Sequence, residues 1–260
     1  MTEPTFPDLV LQSITRHGVT PSRGYVTLGH YDALISHYPP EPERPFVVHW
    51  TRSDRDPADL FGELTAYLRT SGARSAEWWF RDDSTPLGLE ELVLAAGAKT
   101  IEDQVCVARA VGDAPPSIAP GVQVTLVQDA EALDAVVDIG VEVFDNPQPD
   151  RAALLADVLD ELERGAGAWV VGWVDGAPVG RARVGFEYGV APLVGAAVLP
   201  HARRRGVYAA MLAARLDLAS TARCHTAVTK ARRTQSLPVL LREGFTPIGQ
   251  ERAHLLEIAP

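Results

Sequence analysis

Residues Ala196–Leu212 read AAVLPHARRRGVYAAML: an apolar run, a proline, three consecutive arginines, a glycine, and then an alanine-rich helical stretch. A helix that starts here leaves its first four backbone N–H groups without intrahelical acceptors, and its dipole adds partial positive charge at the same end. Gly206 has no Cβ to hold a ligand off the backbone, and Arg203, Arg204 and Arg205 bring charge-assisted donors. The chemistry is that of a pyrophosphate clamp. The same stretch also reads as a solvated basic helix start, and the charge distribution weighs between the two. The chain carries 24 Lys+Arg against 34 Asp+Glu, a net of −10. Yet residues 201–233 hold Arg203, Arg204, Arg205, Arg215, Arg223, Lys230, Arg232 and Arg233 against the single acid Asp217. A basic stripe on an acidic protein points to a small anionic ligand. Net negative charge, with no aromatic-interleaved basic surface elsewhere, argues against nucleic acid.

Outward from the clamp, strands and helices alternate. Strand Val122–Val127 leads to a helix Ala130–Phe144 with apolar residues at helical spacing and Asp129 at its cap; a second helix covers Ala152–Leu162. Ala168–Val174 and Ala177–Phe186 flank an Asp175-Gly176 turn as a hairpin. Strand Ala191–Leu199 precedes a helix from Arg203 to about Ala219. A strand Thr221–Thr229, a short helix Ser236–Glu243 and a closing pair, Thr246–Glu251 with Ala253–Ile258, complete the pattern.

Residues 120–260 resemble the GNAT superfamily of acyl-CoA-dependent N-acyltransferases. The family's phosphate loop, R/Q-x-x-G-x-G/A, is matched by Arg203, Arg204, Arg205, Gly206 and Val207, with Tyr208 where a small residue is usual. LLREGF, Leu240–Phe245, is similar to the family's late helix followed by Gly-Phe. The resemblance implies an α/β chain with a twisted, mostly antiparallel mixed sheet flanked by helices, and acetyl-CoA or another acyl-CoA as co-substrate. It implies that backbone groups of Ala197, Val198 and Leu199 pair with the pantetheine arm as an added strand, one N–H polarising the thioester carbonyl. It further implies that the N–H groups of Arg205 to Ala209, with Val207 and Tyr208 among them, hold the pyrophosphate; Arg233, from the basic stripe, is expected to join the three arginines at the cofactor. Gly206→Asp is expected to abolish CoA binding while leaving the fold largely intact.

The catalytic side departs from the family. A glutamate before the clamp and a late tyrosine are usual, but those places fall at Pro192 and Leu240, and neither side chain moves a proton. Glu142 and Asp145, in the expected turn between the first two helices, are candidate bases and also read as solvated loop acids. Ser236 is a candidate donor to the departing thiolate and also reads as a helix cap. Glu187, Tyr188, His201 and His225 read more simply as turn or strand residues. The expected reaction is acyl transfer to an amine of a small molecule or peptide; the alternative is an acyl-CoA-binding protein without transferase activity.

The first half resembles a second, degenerate unit. At a spacing of 147 residues Gly97 falls on Gly244, and Leu92, Val93 and Leu94 on Val239, Leu240 and Leu241. Phe46–Thr51, helix Pro57–Arg69, strand Ala76–Arg81, helix Pro86–Ala96 and strand Glu102–Ala110 then match the later part of the C-terminal unit. Arg203–Gly206 correspond to Asp56, Pro57, Ala58 and Asp59, acids that repel a pyrophosphate, so one cofactor per chain is expected. The expected division is 1–110, a linker 111–119 (VGDAPPSIA), and 120–260. Trp78, Trp79 and Phe80 read as core or as the wall of an acceptor groove. No secretory or membrane-spanning pattern stands out, which points to a soluble, cytoplasmic protein; a monomer or homodimer is expected, with the oligomeric state left open. Cys106 and Cys224 read as reduced core residues, and the seven histidines lack metal-ligand spacing.

Overall fold

The structure, a computed structural model, describes residues 26–30, 32–39, 43–144 and 150–258. It divides into two compact units. One comprises Ala108–Thr229 and Arg242–Thr246; the other takes residues 26–107 together with Lys230–Leu241 and residues 247–258. Residues 111–119 therefore fall within one unit rather than between two, and of the late segments Arg242–Thr246 stays with Ala108–Thr229 while Lys230–Leu241 and residues 247–258 do not.

In the unit built mainly from the first half, the strands are β1 (Val26–Gly29), β2 (Ala33–His37), β3 (Phe46–Thr51), β4 (Ser75–Arg81) and β5 (Lys99–Ala110). They are joined by β11 (Thr246–Glu257) in the order β1-β2-β3-β4-β11-β5. The neighbour of β4 is thus the end of the chain: Glu251–Glu257 runs antiparallel to it, from Glu251↔Arg81 to Glu257↔Ser75. The expected closing pair is one continuous strand whose second half serves this unit. Helices α1 (Pro57–Thr70) and α2 (Leu89–Ala95) cover one face. The α1 stripe Leu60, Leu64, Leu68 recurs every fourth residue and is fully buried against Ile35, Val48 and Trp78. Burial of each leucine contributes about 1.5–3 kcal/mol.

The other unit orders its strands β10-β9-β8-β7-β6, with β6 at Val122–Leu126, β7 at Gly167–Val174, β8 at Ala177–Gly185, β9 at Val190–Val198 and β10 at Thr226–Arg232. The pairs β6/β7, β7/β8 and β8/β9 are antiparallel, and β9/β10 is parallel. Period-two alternation divides β7 between two helical layers. Val171, Trp169 and Trp173 pack with α3 (Ala130–Phe144) and α4 (Arg151–Glu163), while Val170 and Val174 pack with Val207 and Met211 of α5 (Val207–Thr221). Asp129 and Asp150 accept backbone N–H bonds at the starts of α3 and α4. A short helix α6 (Leu237–Arg242) precedes β11.

Both units contain a β-α-β crossover between parallel strands, β3-α1-β4 and β9-α5-β10. The fixed spacing of 147 sets Gly206 against Asp59, but the helix caps themselves are Asp56 and Gly206. The spacing slips because a 3-10 turn, Pro200–Ala202, intervenes before α5.

Two expected boundaries move. The helix expected from Arg203 begins at Val207, since Arg204 (φ 65) and Gly206 (φ 82) are left-handed. The strand expected from Thr221 begins at Thr226, because α5 continues to Thr221. Among the described residues no helix is long and apolar enough to cross a membrane.

Candidate functional site

The site is assembled where β9 parts from β10. Their ladder runs from Val190↔Thr226 to Pro192↔Val228 and ends there. Proline has no N–H with which to extend it. The next contact is made by a side chain, the Thr229 hydroxyl donating to the Leu193 carbonyl at 2.7 Å. Beyond it, among the described residues, no strand pairs with this edge of β9. On the other edge the register with β8 shifts between Arg181 and Arg183, opposite Gly195, whose φ of 63 belongs to a bulge. Ala197, Val198 and Leu199 follow the bulge, and Ala197 and Leu199 pack on Ile139 of α3.

The turn after β9 is held by several bonds. Leu199 N–H donates to Val179 O at 2.9 Å, and Ala202, fully buried, donates to Leu199 O at 2.9 Å. The guanidinium of Arg203 donates to Val198 O at 3.2 Å, and Arg205 pairs with the exposed Asp175 at 2.9 Å. Arg203, Arg204 and Arg205 are all exposed. Gly206 caps α5 with no side-chain hydrogen bond, and the first N–H that finds a helical acceptor is that of Ala210, to Gly206 O at 3.0 Å. The amides of Val207, Tyr208 and Ala209 thus lack helical acceptors, next to three solvent-facing guanidinium groups. These residues fit an anionic diphosphate.

Gly206 has a second reason to be glycine. A Cβ on it would lie 2.6 Å from the Ala119 Cβ, at a φ of +82 that L side chains rarely adopt. Gly206→Asp is therefore not the benign substitution expected, because backbone strain and the Ala119 collision come with it. The equivalent start in the other unit is built differently. Asp56 accepts from Ala58 N–H at 2.8 Å and Asp59 N–H at 3.2 Å, and the first helical residue, Pro57, has no N–H.

The other expected site residues scatter. Glu142 lies in the last turn of α3, solvent-exposed, and not in a turn between helices. Asp145 falls outside the described residues. Ser236 and Arg233 belong to the first-half unit. The Ser236 hydroxyl accepts from Arg232 N–H at 3.1 Å rather than capping α6, and Arg233 pairs with Asp103 at 3.0 Å and with Gln250 at 2.7 Å. Leu240 is buried. Tyr208 is partly buried beside Arg215; burial pushes its phenol up, opposed by the Arg215 guanidinium, so it stays protonated at neutral pH.

The basic stripe is not one surface. Arg215 is only 1% exposed and donates to Met211 O, Lys230 binds Glu251 at 2.5 Å, Arg232 pairs with Glu102, and Arg233 is taken by Asp103. Trp78 is core, while Trp79 stacks with Lys230. Cys106 and Cys224 are free and buried, and burial pushes the Cys106 thiol up to about 11. Among the described residues no group of three or more His, Cys, Asp or Glu side chains could hold a metal.

Two groups escaped the sequence reading. Ala119 lies in a stretch that reads only as linker. Arg181 is signalled by the alternation Arg181-Ala182-Arg183 in an otherwise apolar strand, and it lies on the α3 face of β8 beside Trp169 and Phe144.

A sequence model described as the Acetyltransferase (GNAT) family matches residues 133–245. No curated protein sequence gives a match. Among solved structures, the fold is similar to a GCN5-related N-acetyltransferase from Kribbella flavida, 19% identical with a TM-score of 0.67, covering 96% of this chain and 95% of that one. It is also similar to a GCN5-related N-acetyltransferase from Sphaerobacter thermophilus, 16% identical, TM-score 0.69, covering 96% and 86%. A third, titled a tandem GNAT protein from the clavulanic acid biosynthesis pathway, is 13% identical with a TM-score of 0.67, covering 96% and 88%.

Proposed function

Since residues 133–245 belong to the acetyltransferase (GNAT) family, we propose that this chain is an acetyl-CoA-dependent N-acetyltransferase that acylates an amine of a small molecule or peptide. The observation that carries the reading is the uncapped start of α5. Val207, Tyr208 and Ala209 present amides without helical acceptors, Gly206 brings no side-chain cap to them, and the exposed arginines add charge, all directly after a β9 edge that no strand covers among the described residues. Arg203, Arg204 and Arg205 with these amides would hold the diphosphate, and the backbone of Ala197, Val198 and Leu199 would line the pantetheine arm. Bound acetyl-CoA supplies an activated acyl group, whose transfer makes an amide and frees the thiol.

Catalysis on this reading rests on positioning and on backbone N–H donors more than on a dedicated base. Pro192 and Leu240 carry no transferable proton, and Ser236 belongs to the first-half unit, where its hydroxyl accepts from Arg232 N–H. Glu142 is the one expected base among the described residues of the clamp's own unit, and solvent reaches it. The same buried Pro192 and Leu240 favour a second reading, an acyl-CoA-binding protein without transfer.

A thiol-release screen with acetyl-, propionyl- and succinyl-CoA across amine classes separates the two, run beside calorimetric CoA binding to wild type and Arg204→Glu/Arg205→Glu. The charge reversal is expected to weaken CoA binding at least ten-fold, less at high salt. Unchanged affinity contradicts the clamp. Tight binding with no thiol release from any amine leaves the second reading.

A further inference from the structure

Arg181 lies in β8 directly opposite Ala197 of β9, with only 9% of its surface exposed. Its Nη1 donates to Val136 O at 3.1 Å, and its guanidinium lies over the rings of Phe144 at 5.2 Å and Trp169 at 5.3 Å. Ring faces take none of the five N–H donors. Nε is buried with no hydrogen-bond partner, and among the described residues Nη2 has none either. The vacant donors are therefore the Nε–Nη2 edge, the fork that a carboxylate fits with two parallel bonds.

Among the described residues no acid answers this charge. On α3, Asp134 and Asp138 are both taken by Arg151, and Glu142 is solvent-exposed. On α4, Glu161 is taken by Arg183 and Asp160 by Arg164. Burial alone pulls the guanidinium down to about 10, which still leaves it charged at neutral pH. Val136 O does not explain the arginine, because an interior helical carbonyl already has its own N–H donor four residues on.

The helix has been shaped around the group. Gly140 sits within α3, where glycine is about 1 kcal/mol worse than alanine, and a Cβ there would lie 2.2 Å from Arg181 Nη1. A buried unpaired charge and a helical glycine are two costs with no internal return. Trp169, one wall of the group, also lies 3.4 Å from the position a Gly195 Cβ would take, so the arginine borders the β9 bulge.

We propose that Arg181 receives a carboxylate of the acceptor through its Nε–Nη2 edge, so that the amine acylated is amino-acid-like, carrying amine and carboxylate on one small molecule. This rests on the transferase reading, with the acyl group brought along the bare edge of β9, one strand away. Arg181 then acts on acceptor binding and not on CoA.

The test compares matched amines, amino acids against their amides and decarboxylated amines, in thiol release with acetyl-CoA. In parallel, calorimetry measures acceptor binding to protein saturated with CoA, which needs no turnover. Wild type is expected to favour the carboxylate form at least ten-fold in kcat/KM and in affinity. Arg181→Met is expected to erase that preference, chiefly by raising KM ten- to hundred-fold, with CoA affinity unchanged and the fold retained by melting temperature. Arg181→Lys keeps part of the preference, since a point charge remains without the fork. Equal use or equal binding of amino acid and amide by wild type overturns the proposal, and that comparison requires no variant. Loss of CoA affinity in Arg181→Met also overturns it. Failure of wild type to bind CoA at all overturns the transferase reading instead.

Discussion

At Gly206 backbone conformation and packing coincide, and a double-mutant cycle separates them. Gly206→Ala places a side chain at φ +82 and its Cβ 2.6 Å from the Ala119 Cβ. Left-handed backbone costs an L residue about 1–2 kcal/mol, and overpacking at a rigid contact adds about 1–3 kcal/mol. The single substitution should therefore destabilise by about 2–5 kcal/mol. The other nearby atoms of Ala119, its Cα and N, would be 3.8 Å away, an ordinary contact. In an Ala119→Gly background the collision vanishes and only the backbone cost, about 1–2 kcal/mol, should remain. The intrinsic effect of Ala119→Gly cancels in the cycle. Urea denaturation followed by fluorescence and circular dichroism gives the four free energies. A coupling of about 1–3 kcal/mol is expected. Additivity within about 0.5 kcal/mol would mean that Ala119 does not bear on Gly206.

A similar cycle joins Gly140 and Arg181. In wild type Gly140→Ala drives a Cβ into the guanidinium and should destabilise, whereas in Arg181→Met it should stabilise by about 1 kcal/mol through helix propensity; the same sign in both backgrounds, read by melting temperature, refutes the packing account. Removing a buried charge that has no counter-ion among the described residues should leave Arg181→Met at least as stable as wild type. The first-half unit contains one source of pH dependence. Glu90 accepts from Arg252 at 2.6 and 2.7 Å and lies 2.8 Å from His254 Nε2, and the Arg252 bond holds its carboxyl below the ordinary range. Its folded pKa lies under the unfolded one, so its contribution is complete above the ordinary carboxylate pKa and is lost as pH falls through the folded value. Glu90→Gln should flatten that acid limb in denaturation curves measured from neutral to acid pH, and an unchanged limb assigns the effect elsewhere.

What sequence could reveal here followed the range of the interactions. The uncapped helix start beside three exposed arginines was legible because helix-start geometry is local: Gly206 and the arginines occupy consecutive positions. Helix ends were legible where glycine marks them. Gly72, Gly97 and Gly165 take positive φ just after α1, α2 and α4. The end of α5 was not, because Arg223, at φ 59, fills the position that glycine usually holds. Its N–H donates to Ser220 O and that of Cys224 to Ala219 O, a complete Schellman closure without its usual residue. The expected strand therefore started inside the helix. Partners far apart in the chain were also hidden. Charge counting saw Arg232 and Arg233 as part of an anion site, while folding brings them Glu102 and Asp103, 130 residues away. Arg181 hid for the opposite reason. An arginine in an apolar strand gives no sign of whether folding supplies it an acid, and here, among the described residues, folding supplies none.

The two β-α-β crossovers lead to a stoichiometry. Both units place a helix start after a strand that is parallel to the one following the helix. An anion needs free amides there, and α5 has those of Val207, Tyr208 and Ala209. At α1 the Asp56 carboxylate occupies the amides of Ala58 and Asp59, and proline removes the one before them. A capping aspartate contributes about 1 kcal/mol and brings negative charge where a phosphate would have to sit. Calorimetric titration with CoA should thus give one site per chain. Asp56→Ala frees two amides but cannot restore the N–H that Pro57 lacks, and no arginine triplet precedes it. That variant should lose about 1 kcal/mol of stability and still bind a single CoA with unchanged affinity. Two sites in wild type, or a second appearing in Asp56→Ala, would show that amide capping is not what distinguishes the units.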